Sequence, residues 1–502
     1  MFSESYWNVG PNLPRFPRLD ENLKVDVVVV GGGITGVTTA YLLAKEGFSV
    51  ALLERDRCGG VDTGHTTAHL TAVTDQRLNE LVKRFGRDQA RAVWHAGAVA
   101  IDEIEAIVRQ EGIDCEFRRV PGYLHAPIGG KSAEGLVEDA ELGREFGFEA
   151  EYLESVPFAG TPGVRFENQA KFHPLKYLAG ILERLPVLKC HVFERSEVIE
   201  VQDEPLAVKA NGRTITCAYL VIATHVPLAG NVGMLGAALF QTKLASYSSY
   251  VVGAKVKRGT VPEALFWDTS DPYRYLRADA YPSRDFVIFG GEDHKTGQDD
   301  PETRFVALER RLGEILPEAE VTHRWSGQVV ETNDGLPFIG EMAEKQFAAT
   351  GFAGNGMTFG TLAAVMARDA VTGRENPWAA LFDPNRKKIL GGTWDYIREN
   401  LDYPYHMIKD RLARSEDATT QDLKPGMGKI LTLDGQRVAA YRDESGNLFT
   451  RSPYCPHLGC LVSWNSAEST WDCPCHGSRF KPTGQVLAGP AESPLEEVVA
   501  KV

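Results

Sequence analysis

The stretch Asp26-Val27-Val28-Val29-Val30-Gly31-Gly32-Gly33-Ile34-Thr35-Gly36 decides how most of the chain is built. The four valines read as a short strand buried on both faces, and they run directly into Gly-x-Gly-x-x-Gly. Val37 to Glu46 then has helical spacing without a breaker, and Gly47 stops it. A second strand, Ser49 to Leu53, ends in Glu54. This is a complete βαβ unit with a dinucleotide fingerprint. Gly31 makes the tight turn, Gly33 lets a pyrophosphate approach the backbone, and Gly36 allows close packing of helix on strand. Glu54 stands where an acid accepts hydrogen bonds from an adenosine ribose. A glycine turn in a nucleotide-free α/β protein is the plain alternative. The strand–helix–strand context and the terminal acid favour the dinucleotide.

A second chemistry lies near the C-terminus, in Tyr454-Cys455-Pro456-His457-Leu458-Gly459-Cys460 and Trp471-Asp472-Cys473-Pro474-Cys475-His476-Gly477-Ser478. Cys-x-His and Cys-x-x-His on two Gly/Pro-bounded loops offer two thiolates and two imidazoles. That set can hold a [2Fe–2S] cluster asymmetrically, cysteines on one iron and histidines on the other. The ligand types alone also permit a Cys2His2 zinc site. Zinc leaves the two additional cysteines and the following Gly-Ser without a purpose. The segment resembles the Rieske family, and Phe480, Gly484, Gly489-Pro490 and Pro494-Leu495 extend the likeness. The resemblance implies Cys455, His457, Cys473 and His476 as ligands, and a disulfide between Cys460 and Cys475. Many high-potential members carry a tyrosine where Phe480 stands, whereas Ser478 is retained. An elevated potential, below that of the highest members, is therefore expected.

The N-terminal unit resembles the FAD-binding start of the D-amino acid oxidase superfamily. Three further stretches fit that family in order: Phe172 to Leu178, Leu220 to His225, and Trp325-Ser326-Gly327 through Asp334 to Gly340, continued by Ala349 to Thr358. The likeness spans roughly residues 25–375. It implies a cofactor set of Gly31, Gly33, Ile34, Thr35, Gly36, Glu54, Thr63, His65, Thr66, Ala223, Thr224, Gly354, Asn355, Gly356, Met357 and Thr358. The glycine-rich turn at Gly354 is expected to open a helix whose N-terminus faces the flavin ring. Some relatives attach FAD through a histidine near His65, although ordinary packing along the flavin is the expectation for it. His65 and His69 also have the i, i+4 spacing of a metal pair, but no third ligand is near in sequence. The expected fold class is α/β, a Rossmann-like FAD domain with an antiparallel substrate sheet, plus an all-β Rieske domain.

Chain length and composition set the remaining bounds. At 502 residues, two or three domains are expected. The sequence divides into an arm (1–24), the oxidoreductase domain (25–375, its substrate sheet mainly about 240–320), a helical charged linker (376–421) and the Rieske domain (422–502). A formal charge of −14 disfavours nucleic acid or anionic membrane as a partner. No apolar run reaches transmembrane length and no signal peptide is visible, so a cytoplasmic location is expected. Cys58, Cys115, Cys190 and Cys217 read as reduced core thiols. A Cys460–Cys475 bridge would be unusual in a reducing compartment.

The expected activity is oxidation of a small organic substrate, an amine foremost, at FAD. Electrons then pass singly through the cluster to an external acceptor protein. Dehydrogenase is favoured over oxidase, because O2 needs no iron–sulfur partner. The same chain run in reverse as a reductase, or a non-catalytic electron carrier or redox sensor, are the alternatives. A Rieske oxygenase lacks its two-His-one-carboxylate iron motif here. In glycine oxidase, which the C-terminal half of the flavin region resembles, arginines clamp the substrate carboxylate. The matching positions are Val329 and Gly354, so simple α-amino acids are expected to be poor substrates. Arg274 or Arg277 could substitute from the neighbouring sheet. Tyr247, Tyr250, Trp267, Tyr273 and Tyr275 are either pocket lining or sheet core.

Overall fold

A computed structural model describes residues 5–130, 133–226, 243–386, 420, 423–433 and 435–498. Val27–Val30 form a strand in which every residue is buried, and Val50–Leu53 do the same beside it. They sit inside a six-stranded sheet ordered Phe338–Ala343, Gln346–Thr350, Tyr219–Ile222, Val27–Val30, Val50–Leu53, His191–Phe193. Its neighbours pair in parallel except at the Phe338–Ala343 edge. A parallel sheet is covered on both faces, which is why its strands are continuously apolar rather than alternating. Full burial of each valine is worth about 1.5–3 kcal/mol. The helix Ile34–Lys45 lies on this sheet and against the helix Gly356–Thr372.

The close helix–strand contact depends on two glycines. A Cβ on Gly36 would stand 1.9 Å from the Gly31 carbonyl oxygen, and one on Gly31 would stand 2.4 Å from that of Ala223. Gly31 also has φ +111°, outside the range comfortable for other residues.

A larger, mostly antiparallel sheet covers the other side of the site. Its path is Glu320–Thr332, Leu244–Val256, Asp285–Lys295, Tyr275–Asp279, Leu265–Asp268, Arg118–His125, Gly163–Lys171, His69–Leu70. The segment 240–320 thus supplies only its middle. Flanking strands come from the region 118–171 and from Glu320–Thr332, joined through pairings that local alternation cannot announce, such as Leu265 beside Gly122. The N-terminal arm is mostly irregular, with a 3-10 turn at Tyr6–Asn8 and a two-residue strand at Leu23–Lys24. Trp7 is buried and its Nε1 donates to the Thr66 carbonyl at 2.5 Å.

Two small antiparallel sheets make the C-terminal domain. One is Gly428–Leu433, Gln436–Arg442 and Leu448–Arg451; the other is Ser463–Asn465, Thr470–Asp472, Arg479–Phe480 and Val486–Ala488. Trp471, Phe480, Val462 and Leu495 fill the core between the loops. The expected helical linker falls largely at 387–419, outside the described residues; before it, Ala379–Phe382 is helical.

Arg277 is not a substrate arginine. It is 1% exposed, donates to Asp279 and to the carbonyls of Ala68 and Phe172, and stacks over Trp7. Breaking a buried ion pair from one side leaves the other charge uncompensated, a loss of about 3–5 kcal/mol. Asp279 keeps buried Lys171 as a second cation, so Arg277→Met should lower stability to urea by less than that amount, and adding Asp279→Leu, which strips Lys171 of this partner, should lower it further. Equal losses in the single and double variants would contradict the pairing.

Candidate functional site

The two large sheets enclose a cavity of about 660 Å³ that starts at the glycine turn and ends among the substrate-sheet aromatics. Gly31, Gly33, Ile34, Thr35, Glu54, Thr63, His65, Thr66, Ala223, Thr224, Gly354, Asn355, Gly356 and Met357 all line it. Gly36 and Thr358 stand behind the wall. Gly36 serves the helix contact, and the Thr358 hydroxyl donates to the Thr71 carbonyl at 3.1 Å.

At one end the Thr63 hydroxyl accepts the Ile34 N–H at 3.0 Å, next to the N-terminus of Ile34–Lys45. A helix N-terminus carries partial positive charge and suits a phosphate. Glu54 accepts the N–H groups of Gly32 at 2.7 Å and Asp56 at 2.8 Å. Each carboxylate oxygen has two lone pairs, so acceptor capacity for a ribose hydroxyl remains. Burial holds the Glu54 carboxyl above its usual range despite those bonds. At the other end Gly354 (φ +78°) and Asn355 lead into Gly356–Thr372, whose N-terminus points its first residues at the cavity. Two helix N-termini facing one elongated, glycine-walled cavity fit a dinucleotide with a flavin ring.

His65 and His69 do not form a metal pair. Asp62–His65 is a four-residue helix that ends at His65, whereas His69 begins a strand, with Ala68 at φ +55° between them. His65 Nδ1 lies 2.7 Å from the Val61 carbonyl, which makes it the donor, and the His65 carbonyl accepts from Trp325 Nε1 at 2.9 Å. Of the aromatic group, Trp267, Tyr273 and Tyr275 line the cavity. Tyr250 is sheet core, packed against Phe305. Arg274 pairs with Glu292 at 3.2 Å away from the cavity lining, so neither substitute arginine reaches in.

The C-terminal domain brings its two cysteine–histidine loops together. The Cys455 N–H donates to the Cys460 carbonyl and Gly459 N–H to that of Cys455; Cys473 N–H donates to the Ser478 carbonyl and Gly477 N–H to that of Cys473. Gly459 and Gly477 take φ +77° and +72° to close these matching turns. A disulfide joins Cys460 to Cys475. The buried thiols of Cys455 and Cys473 contact each other, and the rings of His457 and His476 are 4.9 Å apart and perpendicular. Sulfur atoms of Cys460, Cys473 and Cys475 also cluster, but two of them are tied in the disulfide and offer no thiolate. Thiols on one side and imidazoles on the other fit an asymmetric [2Fe–2S] cluster. Ser478 Oγ accepts from Ala491 N–H and lies against Cys455, in reach of such a cluster. Burial pushes the thiols of Cys115 and Cys190 up to about 12, which suits inert core residues.

The second cysteine–histidine loop is seated on the cavity wall. Gln328, which lines the cavity, donates from Nε2 to the Gly477 carbonyl at 2.7 Å. Gln298 Nε2 donates to the Pro474 carbonyl at 2.9 Å, and a Cβ on Gly297 would meet the Cys473 backbone at 2.9 Å. Ser326 Oγ donates to Glu468 Oε1 at 2.6 Å, while Arg479 pairs with Glu468 and Asp472. Burial would raise the Glu468 carboxyl, but Arg479 and Ser326 outweigh it and leave it below its usual range. Lys481 pairs with Asp56, and Arg55 donates to the Leu487 carbonyl. Gly489, Pro490 and Ala491 complete the lining from the C-terminal domain. Sequence reasoning missed Gln328, Gln298 and Glu468. A lone Gln or Glu in a strand or turn carries no pattern that marks an inter-domain contact.

Comparisons with known proteins agree with this construction. The family described as FAD dependent oxidoreductase matches residues 26–370, and the Rieske [2Fe-2S] domain family matches 414–499. YhfW of Bacillus subtilis (strain 168), described as a Rieske 2Fe-2S iron-sulfur protein, is 36% identical over 99% of this chain and 97% of its own. The gamma-glutamylputrescine oxidoreductase of Escherichia coli (strain K12) is 23% identical over 82% of this chain and 99% of its own. Glycine oxidase from Geobacillus kaustophilus shares the fold with a TM-score of 0.60 and 19% identity, covering 73% of this chain and all of that one. Among the described residues no helix is long and apolar enough to cross a membrane. The chain belongs to the FAD-dependent oxidoreductase family, with a Rieske [2Fe–2S] domain following the oxidoreductase domain in the same polypeptide.

Proposed function

We propose that this protein is a dehydrogenase that oxidises a small amine in the cavity and sends the electrons through its own C-terminal domain to an external acceptor. The observation that carries the reading is the seat of the second cysteine–histidine loop on the cavity wall, through Gln328 and Gly477. When bound, FAD exchanges two electrons or one and a [2Fe–2S] cluster carries one, so the pair converts substrate oxidation into single-electron delivery.

The chain's own residues would do the rest. Gly31, Gly33, Thr63 and Glu54 would hold the dinucleotide, and the N-terminus of Gly356–Thr372 would stabilise negative charge on the ring. Cys455, His457, Cys473 and His476 would ligate the cluster, with the Cys460–Cys475 bridge holding the two loops in register. Gln328 and Gln298 would fix the second loop against the wall, so that transfer needs no bimolecular encounter. Tyr454 and Leu458, on the first loop, are exposed and leave its outer side open to an acceptor.

Two outcomes follow. Cys455→Ser and His476→Ala should each abolish the Rieske electron paramagnetic resonance signal while flavin content stays at wild-type level, because the cofactors sit in separate cores. Unchanged iron content in both variants would refute the ligand set. Under anaerobic conditions an amine screen should find a compound that bleaches the flavin and then reduces the cluster. Glycine, sarcosine and D-amino acids at low millimolar concentration, a usual range for enzyme substrates, should bleach it slowly. Fast bleaching by any of these three would contradict the substrate assignment.

A further inference from the structure

The sheet end of the cavity carries a charge pattern that the family likeness does not predict. A Cβ on Gly354 would stand 2.6 Å from Asp75 Oδ2 and 3.1 Å from the Tyr273 hydroxyl. Gly354 is the position where the likeness to glycine oxidase places a carboxylate-binding arginine. Here a carboxylate occupies that space. Near the end of Asp285–Lys295, Asp293 also lines the wall. Its Oδ1 is sealed from solvent and has no hydrogen-bond partner, while the side chain also bonds Ser249. Tyr275 Oη is 2.7 Å from Ser249 Oγ, and the Tyr273 and Tyr275 rings are 5.7 Å apart.

Among the described residues no basic group answers these acids from within the cavity. The arginines lining it among the described residues are Arg55, Arg57 and Arg77, and each is held elsewhere: by the Leu487 carbonyl, by Glu194 and by Asp139. His69 faces the same space, but burial drives it down to about 3, so it is neutral at pH 7. A buried carboxylate without a counter-charge is costly, and a carboxylate beside another is more so. Asp75 is open to the cavity and accepts a hydrogen bond from the Tyr273 hydroxyl, yet desolvation by the surrounding chain holds its carboxyl well above its usual range, with Glu331 and Asp293 adding to the effect. Burial pushes Asp293 up to about 6, with Glu292 adding to the effect. A cation at this end of the cavity would offset both penalties, beside the aromatic rings of Tyr273, Tyr275 and Trp267 that line it.

We infer that Asp75 and Asp293 form a cation subsite that takes the protonated amino group of the substrate, with the aromatic rings gripping the adjoining carbon chain. The inference rests on the reading of this cavity as the amine chamber and gives that chamber its polarity: ammonium in, carboxylate out.

The test titrates the flavin-loaded protein anaerobically with butylammonium chloride or sodium butyrate, two probes of one shape and opposite charge, while flavin absorption is followed. The wild type should bind butylammonium at least tenfold more tightly than butyrate, where tenfold corresponds to about 1.4 kcal/mol. Asp293→Asn and Asp75→Asn should each shrink that preference roughly tenfold, and Asp293→Glu should restore part of it. Tighter binding of butyrate by the wild type, no response to either probe, or an unchanged preference in both Asn variants would overturn the subsite. Variants are compared at equal flavin content, so misfolding is not mistaken for lost binding. Light-driven reduction of the flavin with oxalate as the sacrificial electron donor needs no amine. Cluster reduction after illumination therefore reports the electron path separately, and it can survive the loss of the cation subsite.

Discussion

The approach of the helix Ile34–Lys45 to the strand before it is the constraint on which the remaining structure rests. With a Cβ on Gly36 placed 1.9 Å from the Gly31 carbonyl, no other residue allows that distance. Because the helix comes so close, its N-terminus opens directly onto the cavity and Thr63 can cap it. The same closeness lets Gly356–Thr372 pack alongside and aim a second N-terminus at the cavity's far end. Two positive helix ends in one chamber need something negative between them. The architecture is thus committed to an anionic, two-ended cofactor before any side chain of the substrate sheet is considered.

The substrate sheet answers with the opposite sign. Its cavity face offers Asp293, Ser249 and the Tyr273–Tyr275 pair, and Asp75 reaches in beside Gly354. Arg277, a cation the sequence offered for this face, is consumed by Asp279 and by backbone carbonyls beneath it. Buried charge in this protein is therefore of two kinds. Arg277–Asp279 and Arg479–Glu468–Asp472 are paired and structural. Asp75 and Asp293 line the cavity with no basic partner among the described residues and are left to be paired by what binds there.

How far the sequence revealed this depends on the range of each interaction. The βαβ unit was legible because turn, helix and strand are contiguous and their glycine spacing has one physical use. The cysteine–histidine loops were legible because ligand spacing is local. The absence of an arginine at Val329 and Gly354 was legible only against a family pattern. Asp75 was not, since nothing near it in sequence says that it will stand where Gly354 leaves room. Nor was the recruitment of Arg118–His125 and Gly163–Lys171 into the sheet, which rests on long-range pairings. The metal-pair spacing of His65 and His69, set aside for want of a third ligand, is not a helical pair in the fold either: the helix Asp62–His65 stops where Thr66 turns extended. The docking of Gly477 on Gln328 joins residues 149 positions apart through one hydrogen bond. No local pattern encodes such a bond.

That docking makes the two cofactor regions one device, and the order of electron transfer between them tests it most directly. Flash photoreduction of the flavin in the loaded protein, followed at the cluster absorption over a range of protein concentrations, separates transfer within a chain from transfer between chains. A first-order rate independent of concentration is the predicted result. A rate that rises in proportion to concentration, or a cluster that stays oxidised while the flavin is reduced, would contradict the account.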